Sequence, residues 1–201
     1  MFDSRLRPWI DPPLHAVAQT FVRRGVSAEA MTWSGLCVGL AGAVAVACAA
    51  PLLGLALFAA NRLADGLDGA IARQTAVTDR GGFLDIVADF LIYAAYPLAF
   101  AVSDPERNAL AAAALLASFI ASGTTFLAFA AVAAKRGLTT EAQGQKSIYY
   151  LAGLAEGGET VAVFVAMCVW PAAFVPIAWV FAAVCGVSAV GRVAMGMRVL
   201  G

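Results

Sequence analysis

The sequence predicts an all-α polytopic membrane protein with six transmembrane helices, preceded by an N-terminal amphipathic interfacial helix. Of its 201 residues, 62% are hydrophobic and only 13% are charged, and the mean hydropathy is +0.83. Soluble domains are less apolar and more highly charged than this. Because a membrane-spanning helix needs roughly 20 apolar residues, the chain has room for about six spans. We therefore expect one domain over residues 1–201, with an N-terminal segment at residues 1–27.

The N-terminal segment has the pattern of a helix that lies along a membrane surface. Its start, MFDSRLRPWIDPP, lacks the apolar run of a signal peptide, so we expect insertion through the chain's own spans. Beyond this start, one helical face is apolar: Leu14, Val17, Ala18, Phe21 and Val22. The pattern predicts an interfacial amphipathic helix. An ordinary helix packed outside the membrane is the alternative interpretation.

Six apolar segments follow, and the basic residues around them predict their orientation. The segments cover 31–49, 53–73, 81–102, 107–134, 147–169 and 172–198. If the N-terminus is cytoplasmic, the cytoplasmic side collects Arg5, Arg7, Arg23, Arg24, Arg73, Arg80, Lys135, Arg136, Lys146, Arg192 and Arg198. Arg107 lies near the opposite side. Because basic residues accumulate on the cytoplasmic side, we expect both termini there.

Four aspartates stand at the facing ends of the second and third apolar segments. Counted in helical steps, one face of the second segment carries Asp65, Asp68, Gly69, Ala72 and Arg73. One face of the third segment carries, at steps of four, Gly81, Asp85 and Asp89. The short loop from Gln74 to Arg80 makes the two helices antiparallel neighbours, so both faces can line one cleft.

The four carboxylates predict a site for divalent metal ions. In a partly dehydrated cleft they would repel one another strongly unless cations compensated their charge. Oxygen ligands without His or Cys favour Mg²⁺, Mn²⁺ or Ca²⁺ over zinc, and four carboxylates suit two ions, as in phosphoryl transfer. Buried salt bridges to Arg62, Arg73 or Arg80 are the structural alternative. We favour the metal site because ionisable groups inside membranes are usually functional.

Small residues beside the aspartates leave room for a phosphorylated ligand. Gly69 and Ala72 leave space against their helix, and Gly81 lets the backbone approach a phosphate. Arg73 can neutralise phosphate oxygens. The cleft therefore has the features of a site for both metal ions and phosphate groups.

The aspartate motif resembles the signature of a known family at every fixed position. The frame is Asp65-x2-Asp68-Gly69-x2-Ala72-Arg73-x7-Gly81-x3-Asp85-x3-Asp89. It resembles the class I CDP-alcohol phosphatidyltransferases, and the chain is similar to small bacterial members. Many members begin the first span with Pro-Asn and a later Thr, whereas this chain reads SAEAMT, so that only Thr32 fits.

The resemblance implies a reaction and a set of roles. Asp65, Asp68, Asp85 and Asp89 would bind two divalent cations, Mg²⁺ or Mn²⁺, and Asp89 would also act as the general base. The CDP donor would contact Asp68, Gly69, Ala72, Arg73 and Gly81. An alcohol would attack the phosphate of a CDP-lipid, usually CDP-diacylglycerol, and release CMP. The resemblance also implies a homodimer in the bacterial inner membrane, with its active site on the cytoplasmic side.

The acceptor alcohol is predicted from charged residues in the last two segments and directly before them. They are Lys146, Glu156, Glu159 and Arg192. The stretch GLAEGGET at 153–160 resembles branches of the family that use inositol phosphate, so we expect a polyol phosphate as acceptor. Glycerol 3-phosphate and serine are the alternatives, and a divalent cation transporter is the alternative from another class. The formal net charge of zero gives no indication of nucleic-acid binding.

Overall fold

The computed structural model of the protein describes residues 3–137 and 157–201. Every regular element in these two ranges is a helix, which confirms the all-helical prediction. In chain order they are α1 Asp3–Arg23, α2 Ala28–Ala47, α3 Pro51–Gln74, α4 Asp79–Ser103, α5 Pro105–Lys135, α6 Gly157–Val169 and α7 Phe174–Leu200. A short 3-10 helix, Pro171–Ala173, leads into α7.

Four stretches within the described ranges are long and apolar enough to cross a membrane. They are α2, α4, α5 and the continuous stretch formed by the 3-10 helix and α7. The 24-residue α3 has the length of a span but carries the charged half of the motif, and the 13-residue α6 is apolar but short. The first part of the predicted fifth segment lies outside the described residues. The total of six spans therefore stays a prediction.

Helix α1 packs its apolar face against α3. Ala18 is fully buried and shares a cluster with Met31, Ala70 and Ile71. Within the predicted apolar face, Leu14, Phe21 and Val22 are partly buried in this cluster, whereas Val17 remains 47% exposed. Most of the face thus contacts protein, and the interfacial location of the helix stays a prediction.

Side-chain caps determine where α2 and α4 begin. The Ser27 hydroxyl accepts a hydrogen bond from the Ala30 amide at 3.2 Å, just before α2. The Thr78 hydroxyl accepts one from the Gly81 amide at 3.0 Å, just before α4. Each cap satisfies one of the amide groups that a helix leaves unpaired in its first turn. The two helix starts are therefore defined, and both lie beside the site described below.

Glycines on α2 allow close approach to α3 and α4. A Cβ atom at Gly39 would lie 2.5 Å from Cδ1 of Ile92 on α4, and one at Gly42 would meet the Tyr96 hydroxyl. A Cβ atom at Gly35 would lie 2.9 Å from the Cβ of Ala64 on α3. Small residues permit this spacing in helix packing within membranes. The three consecutive helices consequently pack as one close group.

Aromatic side chains join this group to α6. The ring centroids of Phe58 and Tyr96 lie 5.0 Å apart, and Phe164 on α6 lies 5.5 Å from Tyr96. The buried Tyr96 hydroxyl donates a hydrogen bond of 2.8 Å to the Gly54 carbonyl, so its polar end is satisfied. Helix α5 packs along α7 and completes the core. The aspartate motif lies at one end of this packed bundle.

Candidate active site

Helices α3 and α4 bring three of the four predicted aspartates together. Asp65, Asp68 and Asp85 each offer one carboxylate oxygen, and these three oxygens lie within 4.8 Å of one another. Three anionic oxygens at this spacing repel one another unless a cation lies between them. Carboxylates are the hard ligands that Mg²⁺ and Mn²⁺ take, so the donor set fits such an ion.

Asp89 lies one helical turn beyond Asp85 and has a different partner. Its Oδ1 atom is 2.9 Å from Nη1 of Arg62, and the same Nη1 atom is 3.6 Å from Oδ2 of Asp65. Asp89 therefore lies beside the three-carboxylate cluster and forms an ion pair with the Arg62 side chain. Of the salt bridges considered as the alternative to a metal site, the one with Arg62 is present. It lies next to the three-carboxylate cluster and does not replace it.

Thr32 on α2 orients the most buried of the three carboxylates. Its hydroxyl donates a hydrogen bond of 2.6 Å to Oδ2 of Asp68, whose residue is only 6% exposed. This short bond fixes the orientation of the Asp68 carboxylate beside the cluster. Sequence reasoning matched Thr32 to the family pattern but missed this contact. A threonine on a small-residue face of an apolar helix was the available signal.

A cavity of about 650 Å³ opens beside the cluster, between the starts of α2 and α4 and the end of α3. All five residues predicted to contact the donor line it: Asp68, Gly69, Ala72, Arg73 and Gly81. Asp85 and Thr32 line it as well. The first turns of α2 and α4 contribute to the wall, and their unpaired amide groups favour an anionic ligand.

The two glycines of the motif provide space within the cavity wall. A Cβ atom at Gly69 would lie 3.2 Å from Nη1 of Arg73, so a larger residue would displace that guanidinium. A Cβ atom at Gly81 would lie 3.1 Å from the Thr78 hydroxyl that caps α4. The cavity therefore depends on small residues at both positions.

An ion pair links the two helix starts across the cavity. An oxygen of Glu29 on α2 lies 3.0 Å from Nη2 of Arg80 on α4. Glu29 lines the cavity, whereas the Arg80 side chain is 80% exposed. Because one partner is solvated, the pair contributes little to stability. It marks the edge of the cavity.

The predicted acceptor residues are only partly described. Lys146 and Glu156 lie outside the described residues, and Glu159 lies in the first turn of α6. Arg192 on α7 is buried, and its Nη1 atom donates to the Ser122 hydroxyl at 2.7 Å and to the Ser122 carbonyl at 3.2 Å. Arg192 is thus anchored to α5, and the meeting of the four residues at one site stays a prediction.

Sequence comparisons identify relatives over most of the chain. Residues 26–191 match the family model described as CDP-alcohol phosphatidyltransferase. The chain is 44% identical over 200 residues to the inner membrane protein YnjF of Escherichia coli strain K12, covering 100% of this chain and 97% of that protein. It is 28% identical over 120 residues to the archaetidylinositol phosphate synthase of Pyrococcus horikoshii, covering 59% of this chain and 64% of that protein.

Structural comparisons find the same fold in solved proteins. One is the phosphatidylinositol phosphate synthase of Mycobacterium tuberculosis with CDP-DAG bound, with a TM-score of 0.73 and 21% identity over 91% of this chain and 92% of that chain. The other is the same synthase in complex with manganese and citrate, with a TM-score of 0.74 and 20% identity over 92% of this chain and 88% of that chain. At this identity the comparison establishes the fold.

Proposed function

Since the chain belongs to the CDP-alcohol phosphatidyltransferase family, we propose that it transfers the substituted phosphate of a CDP-lipid, such as CDP-diacylglycerol, to an alcohol and releases CMP. The chain is an enzyme, a membrane transferase of phospholipid synthesis. The observation that carries the proposal is the 650 Å³ cavity whose wall contains all five predicted donor contacts and borders the three-carboxylate cluster.

The cavity suits the nucleotide diphosphate of the donor. Arg73 and the first turns of α2 and α4 supply positive charge and amide donors for the phosphate oxygens. Gly69 and Gly81 keep the wall open where side chains would crowd Arg73 and the α4 cap.

Three carboxylates would hold a divalent cation beside the diphosphate. Asp65, Asp68 and Asp85 supply the oxygens, and Thr32 fixes Asp68 in place. When bound, Mg²⁺ or Mn²⁺ neutralises negative charge that develops on the phosphate oxygens. A solved relative of the same fold is described as a manganese complex, which supports this choice of ions. A second cation, with Asp89 as a further ligand, stays a prediction.

Asp89 would serve as the general base. The acceptor hydroxyl oxygen forms a bond to the donor's lipid-linked phosphorus while the bond from that phosphorus to the CMP oxygen breaks. The hydroxyl proton passes to the Asp89 carboxylate, and CMP leaves with the electron pair of the broken bond. No nucleophilic side chain is needed for this direct displacement.

The acceptor is proposed to be a polyol phosphate of the inositol phosphate kind. Support comes from the GLAEGGET stretch, from the buried cation Arg192, and from a relative named archaetidylinositol phosphate synthase. Arg192 would bind the acceptor's phosphate, and Glu159 its hydroxyl groups. Lys146 and Glu156 are assigned to the same site from the sequence. Glycerol 3-phosphate and serine are the competing acceptors.

The proposed setting is the bacterial inner membrane, with a homodimer whose termini and active site are cytoplasmic. The 44% identical relative is named an inner membrane protein, and the distribution of lysine and arginine supports the orientation. The whole chain, 1–201, is proposed to form one domain. Its N-terminal segment, residues 1–27, would precede the spans.

The test is a transferase assay on the purified full-length protein in lipid nanodiscs. Radiolabelled CDP-diacylglycerol and Mg²⁺ or Mn²⁺ are supplied with inositol 1-phosphate, glycerol 3-phosphate or serine, and both CMP and lipid products are measured. We expect CMP release that depends on the metal and is greatest with the inositol phosphate. No CMP with any acceptor, together with metal flux into liposomes, would instead favour the cation transporter.

A further inference from the structure

The guanidinium of Arg62 lies between two aspartates in the interior of the site. Its Nη1 atom is 2.9 Å from Oδ1 of Asp89 and 3.6 Å from Oδ2 of Asp65, and its side chain is 16% exposed. Arg62 lies on α3 one turn before Asp65, outside the signature positions that bear the family resemblance. Burial of a charged side chain costs free energy, so a largely buried arginine in a membrane protein usually has a function.

Contacts from α2, α3 and α4 fix the position of this guanidinium. Its Nε atom donates a hydrogen bond of 2.9 Å to Oδ1 of Asn61, and the Asn61 amide donates one of 2.9 Å to the Gly35 carbonyl on α2. Its central carbon lies 5.7 Å from the ring centroid of Phe58 and 5.9 Å from that of Tyr93, within cation–π range. Three helices thus determine where the charge lies.

The two aspartates on successive turns of α4 have different partners. Asp85 belongs to the three-carboxylate cluster, whereas Asp89 is paired with Arg62. The Arg62 guanidinium is planar and rigid, and its charge holds the Asp89 oxygen at a distance of 2.9 Å. A salt bridge with a purely structural role would require only Arg62 and Asp89. Here the guanidinium is additionally anchored through Asn61, which is 3% exposed.

We propose that Arg62 is a positioning residue for Asp89. Its charge holds the Asp89 carboxylate beside the three-carboxylate cluster, in the place where it accepts the proton of the acceptor hydroxyl. This role rests on the proposed function, in which Asp89 is the general base. Arg62 is not among the residues that line the cavity, so the proposed role acts through Asp89.

The first measurement separates kcat from KM. Arg62→Met keeps the length of the side chain and removes its charge, and we expect kcat to fall about 100-fold, within the range for loss of general-base catalysis. The KM for CDP-diacylglycerol should stay within about threefold of wild type, because the cavity wall is intact. Arg62→Lys restores a charge without the planar fork and should recover about one tenth of wild-type kcat.

A second measurement requires no turnover. Binding of Mn²⁺ to the protein without substrate is followed by electron paramagnetic resonance. Removing a positive charge beside the cluster should leave Mn²⁺ affinity unchanged or make it tighter. The matched control is Arg107→Met in the first turn of α5, where the arginine donates a hydrogen bond to the Ala172 carbonyl. The control should retain wild-type kcat and Mn²⁺ affinity.

The outcomes decide between the interpretations. Wild-type kcat in Arg62→Met would overturn the positioning role, and so would an Mn²⁺ affinity weakened about tenfold, since that indicates collapse of the whole cluster. If Arg62→Met does not fold, Asn61→Leu removes the anchor of Arg62 and should lower kcat about tenfold at unchanged KM; an unchanged kcat there refutes the proposal. A wild-type protein that releases no CMP refutes the proposed function itself, and the role of Arg62 with it.

Discussion

The donor cavity and the predicted acceptor residues come from very different stretches of chain. All residues that line the cavity fall between Val22 and Asp85, on elements that follow one another through short turns. The predicted acceptor residues come from α6, α7 and the stretch before them, and Arg192 is fixed by Ser122 on α5. The proposed donor side is thus a local construction, whereas the proposed acceptor side would depend on helices that are distant in sequence. If both proposed sites are right, changes on the acceptor side should leave the donor chemistry unaffected.

Asp68→Asn gives the largest expected effect and tests whether the donor side serves every acceptor equally. The change removes a charged ligand from the three-carboxylate cluster and weakens the bond from Thr32. We expect CMP release to fall about 1000-fold with each acceptor, as for loss of a group that stabilises developing charge. Asp79→Asn, in the exposed first turn of α4, is the matched control and should behave as wild type. Unequal losses among acceptors would contradict the division between the two sides.

Arg192→Gln tests the acceptor side alone. Loss of a charged hydrogen-bond donor should raise the KM for inositol 1-phosphate about 10- to 100-fold and leave the KM for CDP-diacylglycerol unchanged. Serine, which has no phosphate, should be used as before. Arg198→Gln on the exposed side of α7 is the control. An equal rise in both KM values would show that Arg192 does not belong to a separate acceptor site.

Thr32→Val tests the hydrogen bond from Thr32 to Asp68 on the donor side. The valine has the same shape but cannot donate to Asp68, so we expect Mn²⁺ affinity and turnover to fall about tenfold. Thr32→Ser keeps the hydroxyl and should restore most of both. The measurements are Mn²⁺ titration and CMP release. A valine variant with wild-type affinity would mean that Asp68 is oriented without this bond.

Glu29→Gln gives the smallest expected effect. The ion pair between Glu29 and Arg80 crosses the cavity edge but is largely solvated on one side. We expect the KM for CDP-diacylglycerol to change less than about fivefold, and the change to disappear at high salt. A larger change that persists at high salt would make Glu29 part of the donor site.

The arrangement of the residues assigned to the donor side could largely be predicted, because helical periodicity and a short loop determine it. Steps of three and four define which residues share a face of α3, and the turn before α4 makes the two helices neighbours. Periodicity does not specify how far each helix rotates or where a long side chain reaches. The contact of Thr32 with Asp68 depends on the packing of α2 against α3. The contact of Arg62 with Asp89 depends on the packing of α3 against α4. No local sequence pattern encodes either packing.

The membrane spans were predictable to different degrees for a similar reason. Composition identifies α2, α4, α5 and α7 because each is apolar along its length. Helix α3 combines an apolar half with the charged half of the motif, so composition alone does not classify it. Likewise, the apolar face of α1 suits a bilayer or a protein surface equally well, and its contact with α3 could not be read from the sequence.

The tight spacing around Gly39 has a consequence for the genetics of this protein. A Cβ atom there would lie 3.0 Å from Cγ of Asn61, which anchors Arg62, which in turn pairs with Asp89. A single added methyl group on α2 would therefore shift a carboxylate on α4 that it does not touch. Random mutagenesis screened for loss of the lipid product should therefore recover substitutions in this apolar, chemically inert part of α2. Such alleles would alter the distance between helices without altering any reactive group.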